Sequence, residues 1–277
     1  MGLLDGKVAV VTGAGGGLGR CYALALAEHG ARLVVNDLGG AVDGTGSGSA
    51  MADSVVEEIR KAGGEAAANY DTVSTMEGGA AIVQTAVDAF GRLDIVVNNA
   101  GILRDKTLRK MDESMWDDVI AVHLKGAFAA TQAAARRMVE QAEGGRIINT
   151  TSVSGLIGNF GQSNYGAAKC GIVGFTRVVA LELQRYGITV NAIAPTAVTR
   201  MTEDIPSTPR EFVPELVSPM VVFLASDLAK DVTGRVFGVH GPRICEYRYV
   251  MTPGVAKAEG LWTPEEISEK FADITRG

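Results

Sequence analysis

Residues 7–37 constrain the fold of this chain more than any other stretch. A short β-branched apolar run at 7–11 leads into Thr12-Gly13-Ala14-Gly15-Gly16-Gly17-Leu18-Gly19-Arg20. Helical periodicity follows over 21–29 and stops at Gly30. A second apolar run at 32–36 then ends on Asp37. The order is strand, glycine turn, helix, strand, acid. Glycines at 13, 15, 17 and 19 let the backbone turn tightly and approach a pyrophosphate, which sits at the helix N-terminus beside Leu18. The acid lies 18 residues beyond Gly19, in the range such a dinucleotide site requires. A carboxylate at 37 accepts hydrogen bonds from the adenine ribose and repels a 2′-phosphate. No Lys or Arg stands at 14–17 or 38 to offset it. Arg20, the nearest cation, is expected to lie along the first helix. These residues point to NAD rather than NADP.

The alternation continues. Helical stretches at 51–62, 76–90 and 112–139 alternate with strand-like runs at 65–70, 93–97 and 146–150. A helix over 165–186, a strand at 189–194, a helix at 215–225 and a strand at 232–239 complete the pattern. Such alternation predicts a single-domain, doubly wound α/β fold with seven parallel strands flanked by helices. Ligands of such sheets bind at the carboxyl ends of the strands. Asp71, Thr72 and Val73 after the third strand are placed to meet an adenine edge. Asn99, Ala100 and Gly101 follow the fourth strand, within the run Asn98-Asn99-Ala100-Gly101. The loop at 38–50 carries five glycines and exceeds the usual connection of about 2–6 residues. Wrapping of the adenosine end and simple mobility both fit it.

Tyr165-Gly166-Ala167-Ala168-Lys169 opens the long helix. Residues four apart share one helix face, so Lys169 brings a positive charge near the Tyr165 phenol. A nearby cation favours phenolate and makes the phenol an acid/base candidate. Ser152, thirteen residues earlier, can face the same pocket and hold a substrate oxygen; Ser154 is the alternative.

Gly13, Gly17 and Gly19, the Asn98–Gly101 run, Ser152 and Tyr165-x-x-x-Lys169 together resemble the short-chain dehydrogenase/reductase family over about residues 5–240. Further segments, among them Asn69-Tyr70-Asp71 and Val122-His123-Leu124-Lys125-Gly126, resemble the branch acting on (3R)-hydroxyacyl-CoA thioesters and 17β-hydroxysteroids. The resemblance implies that Ser152 binds the alcohol or carbonyl oxygen and Tyr165 exchanges the proton. It implies that Lys169 lowers the phenol pKa and binds the nicotinamide ribose. It places Asn99 and Pro195 in the cofactor cleft, and Val198 and Thr199 at the carboxamide. His123 stands where many members carry an Asn that relays protons through water, and an imidazole can do the same. Pro195-Thr196 replaces the usual Pro-Gly. A short lid is expected at 200–214. Helices near 114–139 and 163–186 imply a homodimer or homotetramer.

Other classes find little support. The net charge of −6 carries no basic stripe, so nucleic acid is not an expected partner. Three cysteines, at 21, 170 and 245, have no metal-like spacing. No apolar run approaches the ~20 residues of a membrane span, the start has no apolar signal core, and Thr275-Arg276-Gly277 is not a peroxisomal address. The expectation is a cytoplasmic NAD-dependent oxidoreductase of a small-molecule substrate, acyl-CoA or steroid. An NADPH-dependent 3-oxoacyl thioester reductase and a silent dinucleotide-binding protein are the alternatives. Residues 241–277 form a C-terminal extension that starts with an extended segment at 241–249. It ends in a helix capped by Thr263, placed either on a neighbouring subunit or over the active site.

Overall fold

A computed structural model of the chain describes residues 2–199 and 209–276. The expected lid lies outside these residues up to position 208. Two compact units form, Met1–Glu246 and Tyr247–Gly277.

The first unit is one sheet covered on both faces. Its strands are β1 (Val8–Thr12), β2 (Arg32–Asn36), β3 (Ala66–Asn69), β4 (Ile95–Asn98), β5 (Gly145–Thr150), β6 (Ile188–Thr196), β7 (Val236–His240) and β8 (Arg243–Glu246). They lie in the order β3-β2-β1-β4-β5-β6-β7-β8. The seven expected strands are parallel, and an eighth pairs antiparallel with β7. That extra strand arises because Gly241, at φ +58°, reverses the chain and folds part of the expected extended segment back on β7.

β1 is buried along its whole length, as a parallel strand covered on both faces must be. Its side chains alternate. Ala9 and Val11 join Tyr22 and Leu26 of α1 (Gly17–Glu28) and Val55 and Ile59 of α2 (Ala50–Lys61). Val8 and Val10 join Ile82 and Ala86 of α3 (Met76–Phe90) on the opposite face. The strand order reverses at β1, with β2 on one side and β4 on the other. A crevice therefore opens above the carboxyl ends of β1 and β4.

The helix expected at 112–139 is broken. α4 (Glu113–Ile120) and α5 (Gly126–Gln141) are joined by a π-helical turn, Ala121–Lys125. One extra residue per turn leaves the apolar periodicity readable on both sides, which is why the sequence reads as one helix. The short α6 (Val153–Leu156) and the long α7 (Ser163–Leu183) follow β5, and α8 (Ser218–Ala225) precedes β7. In the second unit α9 (Pro264–Thr275) starts with the expected cap. Glu266 N–H donates to Thr263 Oγ1, and Thr263 N–H donates to the Glu266 carboxylate. Among the described residues no helix is long and apolar enough to cross a membrane.

β1 and β4 are tied at their amino ends by Asp94. Its buried carboxylate accepts from Val8 N–H at 2.9 Å and from the Arg92 guanidinium at 2.8 and 2.6 Å. Asp94→Ala leaves the buried Val8 N–H without an acceptor. The variant is expected to lose about 1–3 kcal/mol, read as a lower urea midpoint with unchanged slope.

Candidate active site

The glycine turn between β1 and α1 is tied to the β4 end from below. Thr12 Oγ1 accepts from the N–H of Asn99 and of Ala100 at 3.0 and 3.1 Å. Asn99 Nδ2 donates to the carbonyls of Thr12 and Gly13 at 3.1 and 3.2 Å. A Cβ at Gly13 would lie 2.7 Å from Ala100 Cα, and one at Gly19 would lie 2.1 Å from Gly13 O. Gly13 and Gly17 also have positive φ, +63° and +52°. The helix begins at Gly17, four residues before the sequence pattern suggests, because 17–20 form its first turn.

Above this turn lies a cleft of about 350 Å³. The expected residues Gly13, Gly17, Leu18 and Gly19 line it, with Asp37 at the end of β2 and Asp71, Thr72 and Val73 beyond β3. Asn99, Ala100 and Gly101 line it from β4, and Thr199 from beyond β6. Gly15 touches it through Asp37. Gly15 N–H donates to Asp37 Oδ2 at 2.8 Å, and Gly39 N–H to Oδ1 at 2.7 Å. Pro195 and Val198 are not brought to the lining. Pro195 pairs with Val239 in the sheet, and Val198 N–H donates to Phe212 O at 2.7 Å. A cradle that has no room for Cβ atoms, with a fixed carboxylate at its rim, fits a dinucleotide.

The glycine-rich loop at 38–50 is docked. Leu103 N–H donates to Val42 O, and Arg104 Nε donates to Asp43 O, both at 3.0 Å. Arg104 also pairs with Asp118 at 3.0 Å. Leu38, Ala41, Val42 and Gly44 line the cleft, as does Arg104, which sequence reasoning missed as a lining residue. Arg20 instead pairs with Glu58 of α2 and does not line the cleft.

A second cluster sits between the ends of β4 and β5 and the start of α7. Lys169 is 3 % exposed. Its Nζ donates to Thr150 O at 2.7 Å and lies 5.5 Å from the centre of the Tyr165 ring. Thr151 Oγ1 donates to Lys169 O at 2.6 Å and ties β5 to α7 a second time. The Tyr165 phenol neighbours the Ser152 hydroxyl, which favours its ionised form. Ser154 donates its hydroxyl to Gln162 instead, at 2.8 Å. Gln162 donates to Asp105 at 2.6 Å, and Asn164 donates to the carbonyls of Arg104 and Met115. These contacts clamp the loop joining Ser152 to Tyr165 onto the segment after β4, and sequence reasoning singled out none of the three residues.

His123, on the π-helical turn, is buried with its ring edge-on to Tyr165 at 5.1 Å between centres. Its Nε2 lies 2.8 Å from Ile102 O and 3.1 Å from Ile102 N, so either tautomer finds a partner there. Its Nδ1 and the Thr150 hydroxyl are buried and have no partner among the described residues. Both residues line a cavity of about 10 Å³ beside Lys169.

Burial decides the protonation of this cluster. It pushes the Tyr165 phenol up to about 12, against the lowering influence of the Ser152 hydroxyl, and the Asp105 carboxylate adds to the rise. It pushes the Lys169 amine down to about 7. Burial also holds His123 well below the usual imidazole range, helped by the Lys169 charge. Within the chain alone, therefore, desolvation outweighs the lysine's attraction for phenolate.

The fold, the glycine cradle and the Ser152–Tyr165–Lys169 cluster define a nicotinamide-dependent oxidoreductase acting on CH–OH groups. The chain belongs to the short chain dehydrogenase family, whose model matches residues 7–210. It is 48% identical over 276 residues to peroxisomal multifunctional enzyme type 2 of Mus musculus, covering 98% of this chain and 37% of that protein. The chain thus spans little more than a third of that relative. A hydroxyacyl-CoA dehydrogenase of Mycobacterium tuberculosis is 42% identical over 293 residues, with 99% and 90% of the two chains covered. The crystal structure of a short chain dehydrogenase from Mycobacterium avium superposes with a TM-score of 0.88 at 50% identity, covering 99% of this chain and 96% of that one.

Asp105→Asn keeps an oxygen for Gln162 and removes a negative charge near Tyr165. A negative charge disfavours phenolate, so its loss is expected to lower the Tyr165 pKa. Ultraviolet titration of tyrosinate, differenced against the same titration of Tyr165→Phe, checks the sign.

Proposed function

We propose that this chain is an NAD-dependent dehydrogenase interconverting a secondary alcohol and a ketone on a 3-hydroxyacyl-CoA or a steroid-related hydroxy thioester. The observation that carries this reading is the Tyr165 phenol beside Ser152, with the buried Lys169 amine beneath its ring. The likeness to a hydroxyacyl-CoA dehydrogenase over 99% of the chain supports the substrate class.

Ser152 donates to the substrate oxygen and orients the reacting carbon toward the cleft. Tyr165 takes the alcohol proton during oxidation and returns it during reduction. Lys169 stabilises the phenolate and holds the nicotinamide ribose. The nicotinamide, when bound, takes up the hydride and, in its oxidised form, brings positive charge to the site. That charge favours phenolate, the direction opposite to burial. Tyr165 and Lys169 then share a proton as one coupled pair, since a phenolate raises the ammonium as the ammonium lowers the phenol. His123 Nδ1 and Thr150 Oγ1 are the groups that a single water in the small cavity would join to Lys169, and this supports a relay role for His123.

Asp37 supports NAD. Its oxygens are fixed by two backbone N–H groups, so the carboxylate stays where a 2′-phosphate would have to sit. Arg20, committed to Glu58, offers no compensation. Outward from the phosphate turn the crevice passes β2 and then β3, which supports the ribose at Asp37 and the adenine edge at Asp71, Thr72 and Val73. Phe128 on α5 and Val178 and Leu181 on α7 are exposed apolar residues, which supports a homodimer or homotetramer.

Tyr165→Phe is expected to cut turnover of (3R)-hydroxyacyl-CoA by about 10²–10⁴-fold and to leave NAD affinity nearly intact by calorimetry. Undiminished turnover would sink the mechanism. Asp37→Ala is expected to narrow the preference for NAD over NADP by about tenfold, equivalent to ~1.4 kcal/mol, in KM comparisons of the two cofactors. An unchanged ratio would remove the basis for NAD.

A further inference from the structure

We infer that Asn36 and Asn69 are positioning residues that make the cleft selective for an adenine ring, acting through Asp71. The inference rests on the reading of this cleft as a dinucleotide site with adenine at the end of β3. It does not rest on the choice between NAD and NADP.

Asp71 is an exposed residue that lines the cleft, yet it is held on three of its atoms. Its N–H donates to Asn69 Oδ1 at 3.0 Å. Its carbonyl accepts from Asn36 Nδ2 at 2.9 Å. Its Oδ2 accepts from Asn69 Nδ2 at 2.7 Å. The two amides also bond to each other, Asn36 Nδ2 to Asn69 Oδ1 at 2.8 Å. Asn69 Nδ2 spends its remaining hydrogen on Thr85 Oγ1 at 2.9 Å, and Thr85 is anchored in turn to Ala81 O. Both hydrogens and both lone pairs of the Asn69 amide are therefore engaged.

These supports are buried. Asn36 is 2 % exposed and Asn69 6 %. Burying amides is unfavourable unless every polar atom is satisfied, so such a network is retained only where it fixes something. What it fixes here is a carboxylate in contact with solvent. A hydrated aspartate at a strand end needs no such support for folding. Holding it in one rotamer removes the ordering cost that a ligand would otherwise meet. Among the described residues Asp71 Oδ1 has no hydrogen-bond partner, and an ionised carboxylate oxygen only accepts. The ligand group that suits it is a donor. Adenine offers its exocyclic amine, whereas hypoxanthine offers a carbonyl oxygen at the same position. Asp37 differs in that both its oxygens already accept backbone N–H groups.

The test is the ratio of dissociation constants for nicotinamide hypoxanthine dinucleotide and NAD, by titration calorimetry without substrate. A hydrogen bond to a charged group sets the scale, and the wild-type protein is expected to prefer NAD by about tenfold or more. Asn69→Ala is expected to bring the ratio to within about twofold of unity. Asn36→Ser, which frees only the Asp71 carbonyl, is expected to lower it part of the way. The ratio compares two ligands on one preparation and is insensitive to the folded fraction. In an Asp71→Asn background Asn69→Ala is expected to change the ratio no further. Equal weakening of both dinucleotides by Asn69→Ala, a further change in the Asp71→Asn background, or a wild-type protein indifferent to the ring would each overturn the inference. Failure of the wild-type protein to bind NAD or NADP at all would overturn the dinucleotide reading with it.

Discussion

The buried amine of Lys169 is the constraint around which the catalytic end of this molecule is arranged. A lysine is rarely buried without partners, because its charge loses hydration. Among the described residues its Nζ has one acceptor, the carbonyl of Thr150, at 2.7 Å. That bond forms only if the last residue of β5 and the second turn of α7 lie side by side. Thr151 Oγ1 to Lys169 O secures the same approach from the other direction. Ser152 is the next residue along, and Tyr165 is one helical turn before Lys169. Placing the amine therefore also places the hydroxyl and the phenol. The cluster is one packing decision rather than three.

The floor of the crevice shows the same economy in its asparagines. β2, β3 and β4 each end on a buried Asn, and Asn149 stands one residue before the end of β5. They meet across the sheet in register. Asn36 pairs with Asn69 in β3, and Asn98 with Asn149 in β5. Their side chains hydrogen-bond along the same rows, at 2.8 Å in both pairs. Asn98 continues to Thr131 of α5 and Asn149 to Thr176 of α7, both at 2.9 Å. Backbone groups at strand ends lose their ladder partners just where a ligand cleft needs firm edges. A row of satisfied amides holds those ends level without closing the cleft.

What the sequence made legible divides along sequence separation. The glycine turn, the alternation of strands and helices, and Tyr165 with Lys169 are local patterns, visible within one or two turns. The asparagine row is not. Asn36 and Asn69 are 33 residues apart and Asn98 and Asn149 are 51 apart, so each reads alone as an unremarkable polar residue after a strand. Gln162 and Asn164 received no individual role for the same reason, since the contacts that clamp the loop reach across to Arg104, Asp105 and Met115. The π-helical turn stayed hidden because an inserted residue shifts a helical pattern without erasing it. Position 198 fits the family spacing, but only the fold reveals that its N–H is committed to Phe212. The eighth strand needed Gly241 to be recognised as a reversal rather than the start of an extended tail.

The protonation of the cluster follows from the same burial. Sequence spacing brings Lys169 to Tyr165 and suggests a lowered phenol, whereas the folded chain alone holds that phenol at about 12 and the amine at about 7. Both shifts favour the uncharged form, the expected result of removing two groups from water together. On the proposed mechanism this arrangement is useful. A phenol that stays protonated near neutral pH does not act as a base on whatever enters an empty cleft. Positive charge arriving with an oxidised dinucleotide reverses the balance at the place where the proton must leave. Asp105 acts against that reversal and Ser152 assists it. Gln162 ties the Asp105 carboxylate to the loop that carries both reacting hydroxyl groups. Base strength and geometry at this site are therefore set by the same hydrogen bonds, and a change made to adjust one acts on the other.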